Sequence, residues 1–551
     1  MRVPSKMFVA MRSILFAAIT LALLAGCAKS VPPAHEGRRN AWTEPNVLRV
    51  ADISDPDHLN PYLSEMDVSY DLASLVYSFL VIADDRGRLI GDLATAVPSQ
   101  ANGGISRDGR TYTYHLRQNV VWHDGVPFAA EDVAASWRAV MNPGNDTFER
   151  EGYDRVASIA TPNRYTVVVR LRERYPPFVS RFFAPLQEGA KPVLPAHLLS
   201  AAGSFNAGTL SSHPIGTGPF EFVSWARADR IVLQRFDRYF KGRPRLERIV
   251  FRVVPNDQTI ATLLQEHQLD LVVAPQTALL DQYRATPGVT VATAPWNSQT
   301  LLIINASKPG MRDVAVRRAI AMVVPYAEIL HDVTRDVDEP ARNGLPPTAI
   351  GYEPLASRGR DPAAAAQLLQ RAGWLPGPDG VRQRSGTRLD FTIATIGGSS
   401  NLERVAVLSQ AALRVAGIAV AIKTYPYRTI FAAPDGPVYS GRYDIALYSS
   451  TLNWDPDVYN FNACDRWYPI GQNIFRFCDP RLDALERAGL QTDDPRRRAT
   501  VYRRSNRLMW SDVPYVPVYQ NRRLIVRSRD LRNYSVNPTS TPWWNAWQWS
   551  I

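Results

Sequence analysis

The clearest pattern of hydrophobic and polar positions in this chain predicts a strand followed by a helix. Apolar side chains occupy every second position of the strand: Tyr112, Tyr114 and Leu116. A turn pair, Asp124-Gly125, comes next. The following apolar side chains recur about one helical turn apart: Val133, Trp137 and Val140. The segment therefore predicts a small α+β element.

A strand pair is predicted around a turn-rich segment at residues 237–244. Apolar side chains alternate on both sides of this segment: Ile231, Leu233, Ile249, Phe251 and Val253. The glycine-rich turn at residues 216–219 does not predict a phosphate-binding loop. Pro219 removes a backbone donor, and a strand rather than a helix follows it.

From about residue 313 onward, helical and strand patterns alternate. One long helix is predicted from Val314 to Leu330. Three later helices begin with an aspartate cap and a proline at the first helical position: Asp361-Pro362, Asp479-Pro480 and Asp494-Pro495. Strands are predicted between and after the helices: 389–393, 418–422, 443–448, 515–519 and 524–526. This alternation predicts an α/β lobe.

The first residues of the chain predict export. Basic residues precede an apolar run at 14–24, which is long enough for a signal peptide but shorter than the about 20 residues that span a bilayer. The run ends in L-A-G-C, which looks like a bacterial lipoprotein processing site with Cys27 as the residue that receives the lipid. Residues 1–27 are therefore predicted to be a lipoprotein signal peptide, and residues 28–44 a flexible tether.

The two remaining cysteines, Cys464 and Cys478, are predicted to form a disulfide, because thiols close in sequence tend to pair in an oxidising compartment. A structural zinc site would need two further ligands nearby, and no histidine lies between the cysteines. We therefore predict no metal site and no cofactor.

Composition and charge exclude several classes of protein. The chain has 551 residues, of which 45% are hydrophobic and 21% charged, which predicts a globular protein with more than one lobe. The net charge is +11, but lysine supplies only 6 of the 63 basic residues and the arginines are scattered. We interpret the densest run, at 496–498, as a solvated helix face and predict no nucleic-acid partner, although a basic surface favours anionic lipid headgroups. The chain lacks the H-E-x-x-H and G-x-S-x-G motifs, so no enzyme is predicted.

The segment at 122–136 carries a recognisable signature. It reads W-H-D-G-x-P-F at 122–128 and E-D-V-x-x-S at 131–136. This string resembles the signature of the bacterial extracellular solute-binding proteins of family 5, which serve peptide and nickel ABC importers. The resemblance extends over nearly all of the chain after the tether. The family usually has threonine where Ala129 stands, so the helix start is expected to lack its capping oxygen.

The resemblance implies an α/β fold with two lobes, a type II periplasmic binding protein of the cluster C kind, with an extra appended α+β domain. The implied domains are lobe I at 45–75, 213–276 and 523–551, the appended domain at 76–212, and lobe II at 277–522. The lobes are expected to close over a solute and to present the closed form to a membrane permease and its ATPase. The resemblance thus implies a monomer that is lipid-anchored in the periplasm or on the outer face of the cell membrane.

In peptide-binding relatives, an aspartate of lobe II pairs with the terminal ammonium of the peptide. It lies three positions before the acidic residue of an acidic-proline pair, which here is Asp455-Pro456, so the matching position is Leu452. A shifted alignment would assign the role to Asp455 or Asp457. A buried ammonium without a carboxylate partner is strongly destabilised, so Leu452 favours another binding mode or another solute.

Further cleft residues are expected on both lobes. Glu65 matches a cleft glutamate of peptide-binding relatives, and Asp67 points the same way if the backbone between them is extended. On lobe II, Asn453 is expected to bond a peptide group. Trp454 is expected either to stack on the solute or to fill the hinge region.

Tyr425 and Tyr427 follow a predicted strand, at the end where open α/β sheets bind ligands, so both are solute-contact candidates. The predicted solute is a peptide. Nickel complexes, oligosaccharides, haem and opine-like compounds are the alternatives within the same fold, and a chaperone or sensor relative is another. Nickel alone favours histidines in the cleft, and none of the predicted cleft residues is a histidine.

Overall fold

The computed structural model describes residues 39–551, except 65, 148–149, 186–190, 200–203, 207, 274, 433, 453 and 540–541. The predicted signal peptide with Cys27 and most of the tether lie outside the described residues, as do Glu65 and Asn453. Residues 44–551 form one unit.

The strands of the described residues are, in chain order, β1 (Val47–Asp52), β2 (Val81–Ala83), β3 (Leu89–Gly91), β4 (Thr111–His115), β5 (Val156–Asn163), β6 (Thr166–Leu171), β7 (Phe220–Ala226), β8 (Arg230–Arg235), β9 (Arg248–Val253), β10 (Leu271–Val272), β11 (Val289–Ile304), β12 (Leu375–Pro376), β13 (Arg382–Arg384), β14 (Thr387–Arg388), β15 (Asp390–Ile396), β16 (Ala419–Tyr425), β17 (Ile445–Thr451) and β18 (Tyr515–Ser528). The α-helices are α1 (Asp67–Val76), α2 (Ala130–Met141), α3 (Phe178–Arg181), α4 (Thr209–Ser212), α5 (Asp257–Gln265), α6 (Leu280–Ala285), α7 (Val314–Val323), α8 (Tyr326–Asp332), α9 (Pro362–Arg371), α10 (Ser400–Val415), α11 (Tyr427–Ile430), α12 (Pro437–Ser440), α13 (Tyr459–Asn462), α14 (Pro480–Gly489) and α15 (Pro495–Asp512).

In the described part of the chain, one sheet of ten strands runs in the order β16-β15-β17-β11-β18-β10-β1-β9-β8-β7. On one side β1 is parallel to β9 and β10, and on the other β15 is parallel to β16 and β17. Between these groups β11 and β18 are antiparallel to each other and extend through both sides. The predicted α/β class is confirmed.

Separate hydrophobic cores lie on the two sides of β11 and β18. We call residues 44–295 and 523–551 the first body, and residues 296–522 the second body. The core of the first body joins β1 and β8 to the α+β element of the signature, with Leu48, Leu233, Tyr114 and Trp122 among its residues. The largest core of the second body lies on β11, β15 and β17, with Leu302, Ile393 and Leu447. The signature segment therefore belongs physically to the first body.

The signature folds as β4, a turn and α2, as predicted. Ala129 has no side-chain oxygen, but Asp132 provides the other half of a capping box by accepting a hydrogen bond from the Ala129 N–H at 2.8 Å. The same carboxylate accepts from the Trp122 indole N–H at 3.3 Å and from the Ala196 N–H at 2.9 Å. The acidic residue of the motif thus joins the strand, the helix start and a distant loop.

His123 joins the signature to the turn at 216–219. Its Nδ1 accepts a hydrogen bond from the Gly216 N–H at 3.2 Å, and its Nε2 lies 3.1 Å from the Gly218 carbonyl oxygen. Burial lowers the pKa of His123 to about 4, so the neutral ring can accept at one nitrogen and donate from the other. A Cβ at Gly216 would lie 1.8 Å from the Val76 carbonyl oxygen, so this turn serves close packing.

Two predicted elements differ in the structure. The helix predicted from Val314 to Leu330 is divided into α7 and α8, because Pro325 cannot continue the helical hydrogen-bond pattern. The strands predicted at 515–519 and 524–526 are one continuous strand, β18. The polar residues between them interrupt the apolar alternation, but Gln520 and Arg522 still pair with Gln299 and Pro295 of β11, so the strand does not end there.

Candidate functional site

The two bodies are joined through β11 and β18, and the pairing of these strands is irregular where they pass from one body to the other. Pro295 pairs with Arg522, and pairing resumes with Gln299 opposite Gln520. Residues 296–298 of β11 therefore stand opposite the single residue Asn521 of β18, an irregularity of the kind that bends strands. We call residues 296–298 and 521 the crossing.

Buried amide side chains hold the crossing in place. The side-chain nitrogen of Gln520 donates hydrogen bonds to the carbonyl oxygens of Trp296 and Ser298, both at 2.7 Å. Gln299 donates to the side-chain oxygen of Gln520 at 3.0 Å and to the carbonyl oxygen of Asn343 at 2.9 Å. These side-chain hydrogen bonds replace part of the interrupted ladder.

The carboxyl ends of the parallel strands in both bodies face the crossing. In the first body, β10 ends at Val272, beside the end of β1 at Asp52. In the second body, β17 ends at Thr451, opposite Ser298 of the crossing. Open α/β sheets bind ligands at the carboxyl ends of their strands. The region between these two edges is the candidate site, and we call it the cleft.

Three aspartates of the first body lie close to its edge of the cleft. Asp52 and Asp71 are buried, and burial raises their pKa values to about 6 and about 8. Asp67, at the start of α1, keeps its solvent contact, yet desolvation by the surrounding protein also raises its pKa. Solvent contact together with a pKa raised by desolvation is expected for a carboxylate on the wall of a concave surface. The positive charge of Arg523, just after the crossing, opposes the pKa shifts of Asp67 and Asp71.

Asp71→Asn is expected to make the free energy of unfolding less dependent on pH. The pKa of Asp71 in the folded protein is about 8, above its ordinary value of 3.8, so the folded protein holds a proton that the unfolded chain releases. The stability from this group is therefore complete at low pH and is lost as the pH rises through this window. The slope that Asp71→Asn removes is at most about 1.4 kcal/mol per pH unit. Urea unfolding between about pH 5 and about pH 8 measures it, and an unchanged slope would mean that Asp71 ionises normally.

The loop after β17 contacts the crossing directly. The N–H of Leu452 donates a hydrogen bond to the Asn297 carbonyl oxygen at 2.6 Å. The side chains of Leu452 and Trp454 are half-buried. Leu452 therefore brings an apolar side chain to the cleft, at the position where peptide-binding relatives are expected to have a carboxylate. Asn453, between the two, lies outside the described residues.

Asp455, predicted as a solute contact, has a protein partner in the structure. Its two carboxylate oxygens accept hydrogen bonds from the Arg498 guanidinium at 2.6 and 2.7 Å, and both side chains are only 5% exposed. Asp457, the alternative, accepts a hydrogen bond from the Tyr175 hydroxyl at 2.8 Å. Because Arg498 occupies both of its carboxylate oxygens, Asp455 holds the loop in the structure.

Tyr425 and Tyr427 belong to an aromatic surface of the second body. Tyr425 ends β16 and is half-buried, whereas Tyr427 is 59% exposed. The ring centroid of Phe431 lies 5.5 Å from that of Tyr427 and 4.9 Å from that of Tyr448. Rings in this arrangement offer an apolar surface to an aliphatic or aromatic group.

Sequence reasoning misses several residues at the edges of the cleft: Asp71, Trp296, Phe431, Tyr448 and Arg523. The Arg523 guanidinium lies 5.1 Å from the centroid of the Trp296 ring, although these residues are on different strands. The sequence does contain an indication for Arg523: a charged residue next to the apolar run of β18 is expected to be either exposed or functional.

Three further findings concern covalent links, metals and membranes. Cys464 and Cys478 form a disulfide, with their Cα atoms 4.6 Å apart. Within the described ranges, no group of three or more His, Cys, Asp or Glu side chains is arranged to hold a metal ion. None of the helices in the described part of the chain has the length and apolar character needed to cross a membrane.

Comparison with known proteins identifies relatives over most of the chain. Residues 88–469 match the family described as bacterial extracellular solute-binding proteins, family 5 Middle. Protein XP55 of Streptomyces lividans is 28% identical over 513 residues, covering 91% of this chain and 88% of the relative. The dipeptide-binding protein of Escherichia coli (strain K12) is 25% identical over 509 residues, covering 88% of this chain and 91% of the relative.

Solved structures have the same fold. The oligopeptide-binding protein AppA of Bacillus subtilis, in complex with a nonapeptide, has a TM-score of 0.77 at 21% identity, covering 92% of this chain and 99% of that one. NikZ of Campylobacter jejuni, in complex with Ni(L-His), has a TM-score of 0.78 at 22% identity, covering 92% of this chain and 100% of that one. The fold is therefore that of a type II periplasmic binding protein. Because the family match spans more than half of the chain, this protein belongs to the bacterial extracellular solute-binding proteins of family 5.

Proposed function

We propose that this protein captures a peptide in the cleft between its two bodies and delivers it to the permease of an ABC importer. The observation that carries the proposal is the geometry of the crossing, where the ligand-binding edges of two α/β bodies face each other across two shared strands. Such a joint allows the bodies to close over a solute, and a permease can select the closed form by its shape.

The relatives support a peptide as the solute. Their names describe binding of a dipeptide, an oligopeptide and glutathione. The cleft offers features suited to a peptide, since it combines charged groups with an aromatic surface: Asp67, Arg523, Trp454, Tyr425 and Tyr427. Glu65 and Asn453 remain proposed contacts. A nickel complex, an oligosaccharide, haem or an opine-like compound is the alternative solute in the same cleft.

We propose that export and anchoring follow from the N-terminal residues, with the lipid on Cys27 keeping the monomeric binding protein beside its transporter. We also propose the domain assignment given above, with lobe I at 45–75, 213–276 and 523–551, the appended domain at 76–212 and lobe II at 277–522. Leu280 and Tyr283 share a hydrophobic core with Ala51 and Val337, so the first residues of lobe II pack against lobe I.

A thermal-shift screen with defined peptides of about two to nine residues tests the proposal, because a ligand that binds only the folded protein raises its melting temperature. The proposal expects a rise that saturates with peptide concentration. Screens with free amino acids, nickel-histidine, oligosaccharides and haem are the comparison. A rise with one of these and none with any peptide would replace the peptide by that class of solute.

Leu452→Asp is expected to raise the affinity for peptides with a free amino terminus by roughly 10-fold or more. The new carboxylate adds a charge-assisted hydrogen bond to the ammonium, and such bonds contribute about 1.5–3 kcal/mol. Leu452→Asn, similar in shape but neutral, is the matched control. Isothermal titration compares trialanine, which has a terminal ammonium, with N-acetyl-trialanine, which has none. The comparison separates the effect of the new carboxylate charge from the effect of the changed side-chain shape. Equal changes for both peptides would mean that Leu452 does not lie at the ammonium position.

A further inference from the structure

One of the contacts between the two bodies away from the crossing lies at residues 174–175 of the first body. The Tyr175 hydroxyl donates a hydrogen bond to Oδ2 of Asp457 at 2.8 Å, and these residues are 1% and 4% exposed. The neighbouring Arg174 donates to the Gln491 carbonyl oxygen at 3.0 Å and lies 3.5 Å from the Asp493 carboxylate. Both residues therefore bind the second body by side-chain atoms.

Each partner is anchored in its own body. Tyr175 packs in the core of the first body, and its carbonyl oxygen accepts a hydrogen bond from the Tyr112 hydroxyl at 3.1 Å. Asp457 lies two residues after Asp455, whose carboxylate is held by Arg498 of α15. The Tyr175–Asp457 bond consequently joins two side chains that are each held within their own body.

The bond also reaches the loop that contacts the crossing. We call residues 452 and 454–458 the cleft loop. At one end of this loop, the Leu452 N–H donates a hydrogen bond to the Asn297 carbonyl oxygen of the crossing. In the middle, the Asp455 carboxylate accepts a hydrogen bond from Arg498, which also belongs to the second body. Asp457 near its other end is held by Tyr175 from the first body. The cleft loop is thus fixed by both bodies only while they are together.

We propose that Tyr175 and Asp457 form a clasp that holds the two bodies closed and positions the cleft loop, with Leu452 and Trp454, against the solute. Separation of the bodies breaks the Tyr175–Asp457 bond and leaves the Arg498–Asp455 pair intact, because both members of that pair belong to the second body. Tyr175 is a positioning residue, since it acts on the solute through the cleft loop. Only the role of the solute rests on the proposed function.

The bond suits a reversible clasp. A hydroxyl that donates to a buried carboxylate makes a charge-assisted hydrogen bond, which is stronger than a neutral one. When the bodies separate, water can replace each partner, so the closed and open forms differ by a modest free energy. A solute that binds both bodies can shift such an equilibrium by its differential affinity for the two forms.

Hydrogen exchange of the full-length protein without added solute tests the clasp. The exchange rates of the backbone amides are measured in the wild type, in Tyr175→Phe and in Asp457→Asn, at residues 451–463 and 170–178. Loss of the Tyr175 hydroxyl is expected to speed exchange in the cleft loop roughly 10-fold or more. The double variant is expected to exchange little faster than the single variants, because both changes remove the same bond.

Tyr62→Phe is the matched control, since it removes the hydroxyl of another buried tyrosine, whose bond to the Pro192 carbonyl oxygen lies within the first body and does not involve Tyr175. It is expected to leave exchange in the cleft loop unchanged. Wild-type exchange of the cleft loop in Tyr175→Phe, or the same increase in Tyr62→Phe, would overturn the clasp.

The dissociation rate of trialanine tests whether the clasp slows the release of a bound solute. Tyr175→Phe is expected to release this probe roughly 10-fold faster with little change in the association rate, because most changes in affinity appear in dissociation. An unchanged release rate would overturn the effect of the clasp on the solute. If trialanine does not bind the wild type, the peptide part of the proposed function fails for this probe, whereas hydrogen exchange still decides whether the clasp exists.

Discussion

Replacing Arg498 with methionine is expected to lower the free energy of unfolding by about 3–5 kcal/mol, because it leaves the buried Asp455 carboxylate without its counter-charge. The guanidinium donates two hydrogen bonds to Asp455, one to the Gly489 carbonyl oxygen at 3.0 Å and one to the Tyr502 hydroxyl at 3.2 Å. Methionine is of similar length but supplies no donor. Urea unfolding followed by tryptophan fluorescence measures the loss.

Arg496→Met is the matched control, because Arg496 lies on the same helix with an exposed side chain. Surface changes of this kind usually alter stability by less than about 0.5 kcal/mol. Adding Asp455→Asn to Arg498→Met is expected to recover part of the loss, since the amide carries no charge to leave unpaired. An Arg498→Met protein as stable as Arg496→Met would mean that the pair contributes little, and the structural role given to Asp455 would then be wrong.

Removing the disulfide through Cys464→Ser and Cys478→Ser is expected to lower the free energy of unfolding by roughly 3 kcal/mol, because the bridge restricts the unfolded chain. The two residues are separated by 14 positions, so the closed loop is short. Within it, the Asn473 side-chain nitrogen donates to the carbonyl oxygens of Asn462 and Ala463, at 3.0 and 2.9 Å. These bonds remain available in the folded variant, so the loss arises mainly in the unfolded state.

Urea unfolding with and without a reducing agent provides the control for this prediction. The wild type is expected to lose stability when reduced, whereas the double serine variant is expected to be insensitive to reduction. A wild type with the same unfolding midpoint under both conditions would mean that the bridge contributes no stability.

Local sequence patterns predicted the elements whose stabilising contacts lie within a few residues. The three aspartates predicted to cap helices do so: the Asp361, Asp479 and Asp494 carboxylates accept from the backbone N–H groups of Ala364, Arg481 and Arg496 at 2.9, 2.8 and 2.8 Å. Each cap needs only the residues just after it. The signature segment was predicted for the same reason, since its strand and helix periods are visible in the sequence.

The cleft depends on residues that the fold brings together from distant positions. Asp455 has the same sequence neighbours whether it faces a solute or Arg498, so no local pattern could separate these roles. Asp67 is predicted from its position two residues after Glu65, but Asp71 resembles an ordinary residue of a helix. Trp296 and Arg523 become neighbours only when β11 and β18 pair, and that pairing is irregular at this point.

The masses of the small molecules released when the purified protein is denatured test most directly the central claim, that the cleft holds a peptide. We expect peptides in near-stoichiometric amounts and a restricted range of lengths, with a matching rise in melting temperature when they are added back. A stoichiometric non-peptide ligand released with no peptide would contradict it.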